Sequence, residues 1–275
     1  MWSKTVYLSR GSRRNPLTVA STRGGFGRGK CPQCYTEPFM CHDRYVVPNV
    51  APKLNGQNVG IGIMAFYRDN IYPRLVTALG DPPPIRKIRE RIVPLASGKV
   101  LEIGVGPGVN FALYDPSRVN KVYALEPNPG MIRLAEPQRR RTRLDIEFLD
   151  LPGERIPLED SDVDTVVSTF TLCTIPGVRE AIRGLLRVLR PGGKLIFFEH
   201  GLSPDSRIRR WQELTEPIPH WLFEGCHITR DIPSLLTEGG FHIEEMETGY
   251  LARFPKGWTY CFWGTATPAL QSPEN

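Results

Sequence analysis

Along residues 1 to about 60 the apolar positions keep no sustained period; Gly, Pro, Asn and charged residues interrupt them, and the segment reads as an irregular arm. The pattern changes after Asn58. In GIMAFYRDNIYPRLVTALG the apolar residues Ile63, Phe66, Tyr67, Ile71, Leu75, Val76 and Leu79 recur at helical spacing, and Pro73 predicts a kink. The PPPI run after Asp81 restarts the chain into a second helix ending near Leu95. From residue 99 short apolar runs alternate with helical stretches. The runs 99–103, 121–126, 146–149, 163–168 and 194–199 predict strands, and 179–189 predicts a helix. Two further runs, 242–246 and 259–263, predict a closing pair, antiparallel at the sheet edge. This alternation predicts an α/β fold: a seven-stranded, mostly parallel sheet with helices on both faces. The expected organisation is an irregular, largely disordered basic arm over 1–57, one α/β domain over 58–267 and a short tail over 268–275.

Composition agrees with one sizeable domain and a small appendage: 275 residues, 40% hydrophobic, 23% charged and 9% aromatic. No run approaches the roughly 18 consecutive apolar residues of a membrane span. The net charge of +6 is unevenly placed. Residues 1–30 hold Lys4, Arg10, Arg13, Arg14, Arg23, Arg28 and Lys30 and no acid, which leaves the rest of the chain with 28 basic against 29 acidic residues. A near-neutral body is not built for nucleic acid. The arm, rich in Arg, Ser, Gly and Thr, reads as a solvated segment; it shares the composition of an organelle transit peptide and could also touch an anionic membrane surface.

Six cysteines are too few for a disulfide scaffold of this length, so a reducing, cytoplasmic setting is expected. Cys31, Cys34, Cys41 and His42 have ligand-like spacing, but adjacent Cys41 and His42 make a strained chelate, and no metal is assigned. Cys173 and Cys226 read as small buried hydrophobes that could at most bring two sulfurs together from the domain.

The most informative stretch is KVLEIGVGPGVNFALY, residues 99–114. A strand carrying Glu102 runs into Gly104, Gly106 and Gly108, and a helical apolar pattern follows. Glycines at the carboxyl end of a first strand let the backbone turn tightly and lie against a ligand. The spacing ExGxGxG departs from the dinucleotide fingerprint GxGxxG, and an acid beside the turn suits a cationic group such as an α-ammonium.

This loop resembles the glycine motif of class I S-adenosylmethionine (SAM) methyltransferases, and the resemblance continues through residues 60–264. It implies that Glu126, ending the second strand, holds two ribose hydroxyls, a role suited to a carboxylate. It implies further that Asp150 and Leu151 meet the adenine, that Ser168 to Leu172 line the place of the methyl group, with Thr169 among the cofactor contacts, and that Tyr67 closes over the cofactor. Asp162 and Asp164 read as structural, and Pro191, Gly192 and Gly193 as turn chemistry.

The acceptor calls for a narrower likeness. Ser168-Thr169-Phe170-Thr171 is not the polar-Pro-Pro-aromatic tetrapeptide of nucleobase methyltransferases. TFTLCTI (169–175), FFEHG (197–201) and PHWLFEGCHITR (219–230) are similar to the alkyl thiol methyltransferases, methyltransferase-like family seven, and their bacterial relatives. Animal members of that family carry an N-terminal hydrophobic anchor that these 275 residues do not show. The likeness implies methylation of hydrogen sulfide, methanethiol or a small alkyl thiol, with SAM becoming S-adenosylhomocysteine. His200, His220 and His227 are the candidate proton acceptors, Trp211, Trp221 and Phe223 a candidate apolar roof, and Arg230 at a helix start a candidate partner of Glu224. Two alternatives stay open: a phosphatidylethanolamine N-methyltransferase or other small-molecule methyltransferase, and a SAM-binding regulator without turnover. Oligomeric state is not legible.

Overall fold

The computed structural model describes residues 3–5, 66–79, 81–251 and 255–269. Its strands are β1 (Ser3–Thr5), β2 (Gly98–Ile103), β3 (Val119–Leu125), β4 (Ile146–Leu149), β5 (Val163–Thr169), β6 (Leu189–His200), β7 (Phe241–Tyr250) and β8 (Tyr260–Pro268). They form one sheet in the order β1-β7-β8-β6-β5-β2-β3-β4. The ladders joining β4, β3, β2, β5 and β6 are parallel, and β8 enters antiparallel between β6 and β7. Apart from β1, this is the expected seven-stranded class I arrangement. β1 pairs antiparallel with β7, so part of the segment read as an irregular arm is an edge strand. The rest of that arm, with Cys31, Cys34, Cys41 and His42, and the tail from residue 270 lie outside the described residues.

The strands are apolar on alternating sides, and each side has its own core. Leu101, Ile103, Leu195 and Phe197 pack on one face with Ala181, Ile182, Leu185 and Val188 of α4 (Val178–Val188) and Leu236 of α7 (Ile232–Glu238). Val100, Val122, Ile196, Phe198 and Trp263 pack on the other with Ile88 and Ile92 of α2 (Pro83–Ile92). Two-sided burial explains why the strands read as near-continuous apolar runs. Because β2 pairs with β3 on one side and β5 on the other, the strand order reverses there, and the crevice at the carboxyl ends of β2 and β5 is where such sheets receive ligands.

Pro73 stands at the junction of a π-turn, Tyr67–Ile71, with α1 (Tyr72–Leu79), which is the expected kink. One expectation is corrected. The segment after the glycines is not a helix but successive turns, with bonds from Gly108 N to Val105 O, Phe111 N to Gly108 O and Leu113 N to Asn110 O spanning three residues each. Left-handed Gly106 and Gly108 on either side of Pro107 keep the backbone from settling into an α-turn. Helices α3 (Pro129–Arg139), α5 (Ser206–Thr215) and α6 (Pro217–Leu222) are not anticipated, internal Pro137 and the Pro-rich start of α6 disguising two of them, while α7 begins at Ile232, just after the helix start expected at Arg230.

Phe197 is fully buried at the centre of β6. Phe197→Ala is expected to cost about 3–5 kcal/mol, read as a lower urea midpoint with the slope unchanged.

Candidate functional site

Gly104, Gly106 and Gly108 are all left-handed, with φ of 66°, 57° and 76°. At Gly104 a Cβ would lie 2.2 Å from Thr171 Oγ1, so the bare backbone lets the loop after β5 press against the glycine turn. At Gly106 a Cβ would meet nothing within 4 Å, and the backbone there borders open space. Glu126, just past β3, accepts from Gly106 N at 2.8 Å and Asn128 N at 2.9 Å. Burial raises its pKa above the ordinary carboxylate value. Asn128 in turn caps α3 by accepting from Gly130 N and Met131 N, and donates to Arg68 O, which ties the Tyr67–Ile71 turn to this edge.

Glu102 has another role than the one expected. Its carboxylate is buried and accepts from Asn110 Nδ2 at 2.8 Å and Tyr114 OH at 2.7 Å. Arg89 of α2 donates to Asn110 Oδ1 at 2.7 Å and Thr169 Oγ1 at 2.9 Å, and its guanidinium lies 5.5 Å from the Phe170 ring centre. Glu102 and Thr169 therefore belong to a buried network that holds the glycine turn against the end of β5. Burial pushes the Glu102 carboxyl up to about 7 despite the Asn110 and Tyr114 donors.

At the ends of β5 and β6 a second buried acid organises the loop 169–175. Glu199 accepts from Ser168 Oγ at 2.7 Å, Thr171 N at 3.1 Å and Cys173 N at 3.1 Å. The next residue, His200, places Nδ1 4.0 Å from Cys173 Sγ and 3.6 Å from Cys226 Sγ, and the two sulfurs are 3.8 Å apart. Both thiols are buried, with Phe170, Phe223 and Trp258 packed around them. His227 N donates to Cys173 O, joining the two loops. The Cys226 hydrogen bond and burial both push the Cys173 thiol well up, which disfavours a covalent relay through it.

The three candidate histidines part company. His200 alone faces the sulfurs. His227 Nδ1 pairs with Glu216 Oε1 at 2.8 Å, and exposed His220 packs on His227 with ring centres 4.6 Å apart. Arg230 does not hold Glu224: it donates to Leu172 O and to Ile175 O, locking the loop that carries Cys173, and α7 begins after Asp231, whose side chain caps it. Of the candidate roof, Phe223 packs on the sulfurs, Trp221 is exposed and stacks on Tyr67, and Trp211 is turned away against Trp258. Tyr67 OH donates to Leu222 O at 2.9 Å, bridging the N-terminal turn to α6. Asp150 is exposed beyond β4, with Leu151 half-buried beside it. Asp162 and Asp164 pair with Lys99 and Arg190, as structural acids do.

Two groups here escaped the sequence reading. Glu224, left-handed at φ 47°, has a buried Oε1 with no hydrogen-bond partner among the described residues, and burial pushes its carboxyl up to about 7. Tyr72, at the start of α1, is half-buried and has its ring centre 6.5 Å from that of Tyr67.

A family described as "Methyltransferase domain" matches residues 101–197. Human thiol S-methyltransferase TMT1B is 38% identical over 158 residues, covering 55% of this chain and 64% of the relative. Demethylmenaquinone methyltransferase of Clavibacter sepedonicus is 30% identical over 125 residues, covering 45% of this chain and 49% of its own. The chain thus spans less than two thirds of either relative. Among solved structures, a SAM-dependent methyltransferase of Methanosarcina mazei superposes with a TM-score of 0.52 at 23% identity, covering 69% of this chain and 98% of that one, which fixes the fold.

The raised pKa of Glu102 has a pH signature. Between its ordinary value of 4.5 and about 7 the folded protein keeps a proton that the unfolded chain has lost. Stability therefore falls as pH rises through that window, and the full penalty is present above it. In Glu102→Gln the part of the slope due to this residue is expected to vanish, whatever constant cost the amide adds. Melting of ligand-free parent and variant from pH 4.5 to 8 checks this; parallel curves would count against it.

Proposed function

We propose that this chain, which carries a methyltransferase domain on the class I SAM-dependent fold, methylates the sulfur of a small thiol. The observation that carries the reading is the 38% identity with a protein named a thiol S-methyltransferase. The geometry is compatible with it: two buried sulfurs and one imidazole meet among the apolar side chains Phe170, Phe223 and Trp258.

The residues at the β2 and β3 ends fit SAM, which when bound supplies a methyl group activated on a sulfonium. Gly106 borders open space, and Glu126 keeps unused lone pairs for ribose hydroxyls. Gly104 and Gly108 shape the turn, Asp150 and Leu151 at the end of β4 are the residues assigned to the adenine on this reading, and Tyr67, bonded to Leu222 O, is assigned to close the N-terminal side. Glu102 and Thr169 act on the cofactor through the loop they hold.

A thiolate is a strong nucleophile, so the protein has three tasks: to align it, to exclude water and to favour loss of the thiol proton. Phe170 and Phe223 provide the dry wall, and His200 is the imidazole placed to promote ionisation.

The test is a headspace assay with purified protein, SAM and sodium sulfide or methanethiol, with phosphatidylethanolamine vesicles and a quinol as parallel acceptors. Methylated sulfur at many turnovers is expected. Methylated lipid or quinol without any sulfur product would overturn the assignment. Glu126→Ala should abolish SAM affinity. His200→Ala should lower thiol turnover about 10²–10⁴-fold at neutral pH, with recovery at higher pH where the thiol ionises unaided.

A further inference from the structure

Cys173, His200 and Cys226 come from three separate elements, yet their Sγ, Nδ1 and Sγ atoms all lie within 4.8 Å of one another. Two cysteines packed as small apolar groups would account for the sulfur contact alone. They would leave an imidazole nitrogen facing two sulfurs, which are weak donors and weaker acceptors.

The distances have a simpler reading. A tetrahedral zinc ion with Zn–S of about 2.3 Å and Zn–N of about 2.0–2.1 Å requires edges of about 3.8 Å between sulfurs and about 3.6 Å between sulfur and nitrogen. The observed edges are 3.8 Å for sulfur to sulfur, and 3.6 Å and 4.0 Å for the two sulfurs to Nδ1. The backbone carrying these side chains is fixed from outside. Glu199 and His227 N hold the two polar atoms of the Cys173 peptide, Arg230 grips Leu172 O and Ile175 O, and Cys226 N donates to Phe223 O. Such outer contacts are what orient metal ligands. Two of the three non-glycine residues with left-handed φ among the described residues, Phe170 and Glu224, lie in the two loops that deliver the sulfurs.

We infer that Cys173, His200 and Cys226 form a three-ligand zinc site. Among the described residues no fourth Cys, His, Asp or Glu joins the group. Three protein ligands with one position left over is the pattern of catalytic zinc, and His200 is the most exposed of the three ligands. On the thiol reading of the previous subsection, on which this step rests, that position takes the substrate sulfur: the S–H bond breaks, the proton passes to solvent, and the sulfur lone pair binds the metal. No oxidant or reductant is needed. The His200 imidazole then favours ionisation by ligation instead of by carrying the proton itself.

The experiment uses the full chain with Cys31, Cys34 and Cys41 changed to Ser, so that the arm's cysteines hold no metal. Zinc is measured by mass spectrometry on protein purified without chelator. Cd²⁺ is then titrated into stripped protein and thiolate-to-metal absorption followed. One equivalent of zinc and a saturating band are expected, both lost in Cys173→Ser, in Cys226→Ser and in His200→Ala. Retained S-adenosylhomocysteine affinity shows that each variant is folded. A background protein that takes up no metal, or whose band survives both serine substitutions, overturns the site. So does a Cys173–Cys226 pair found oxidised and metal-free in freshly purified protein. Stripped protein that methylates thiols at the full rate removes the metal's part in the reaction and leaves the thiol reading standing. Protein that binds zinc and SAM yet methylates no thiol leaves the site and removes the thiol reading.

Discussion

Glu199 is the constraint on which the sulfur side of the molecule depends. Placing a carboxylate between Phe198 and His200, in a strand buried on both faces, costs several kcal/mol unless its lone pairs are met. The chain meets them with one hydroxyl and two backbone amides, from Ser168, Thr171 and Cys173, all at or just beyond the end of the neighbouring strand. The acid is thereby satisfied only when the loop after β5 adopts one shape. In that shape Phe170 is left-handed, its ring lies against Phe198 and His200, and the Cys173 thiol meets the imidazole.

The β2 edge solves a similar problem in a different way. Glu102 lies within β2 and Glu126 just past the neighbouring β3, and both are buried. Glu102 is satisfied by neutral donors from the turns that follow it, with Arg89 anchoring those turns to α2. Glu126 is held by two backbone amides that use one lone pair on each oxygen, and it faces the edge where Gly106 lies bare. Glu102 builds the turn, while Glu126 keeps one lone pair on each oxygen unused. Thr171 couples the halves, since its side chain occupies the space a Cβ on Gly104 would need.

The sheet was legible because its strands are buried on both faces and are therefore written as short apolar runs; the expected 146–149 is the observed Ile146–Leu149. The glycine turn was legible because its spacing is local. What failed was non-local or disguised. The run after Gly108 has helical periodicity, yet its backbone is committed to turns by left-handed glycines, and Asn110 and Tyr114 are drawn inward by Glu102. Glu199 read only as a neighbour of His200, because its partners lie on another strand and mostly on backbone atoms, which leave no mark in sequence. Arg230 was given the wrong partner for the same reason: Leu172 O is distant in sequence.

The sulfur cluster is the clearest case of chemistry that only the fold assembles. Cys173 and Cys226 stand 53 residues apart, so no spacing rule joins them, and each alone is best read as a small buried hydrophobe. What changes the reading is the set of restraints around them. A packed apolar pair needs neither a carboxylate on the Cys173 amide, nor an arginine on the flanking carbonyls, nor two left-handed side-chain-bearing residues in the adjoining loops. Left-handed conformations at such residues cost of order 1–3 kcal/mol each and persist where the surroundings over-determine them. Here the surroundings fix the positions of two sulfurs and one imidazole nitrogen. That expenditure is intelligible if those atoms must be presented together, among apolar neighbours that leave the two sulfurs little exposed to water.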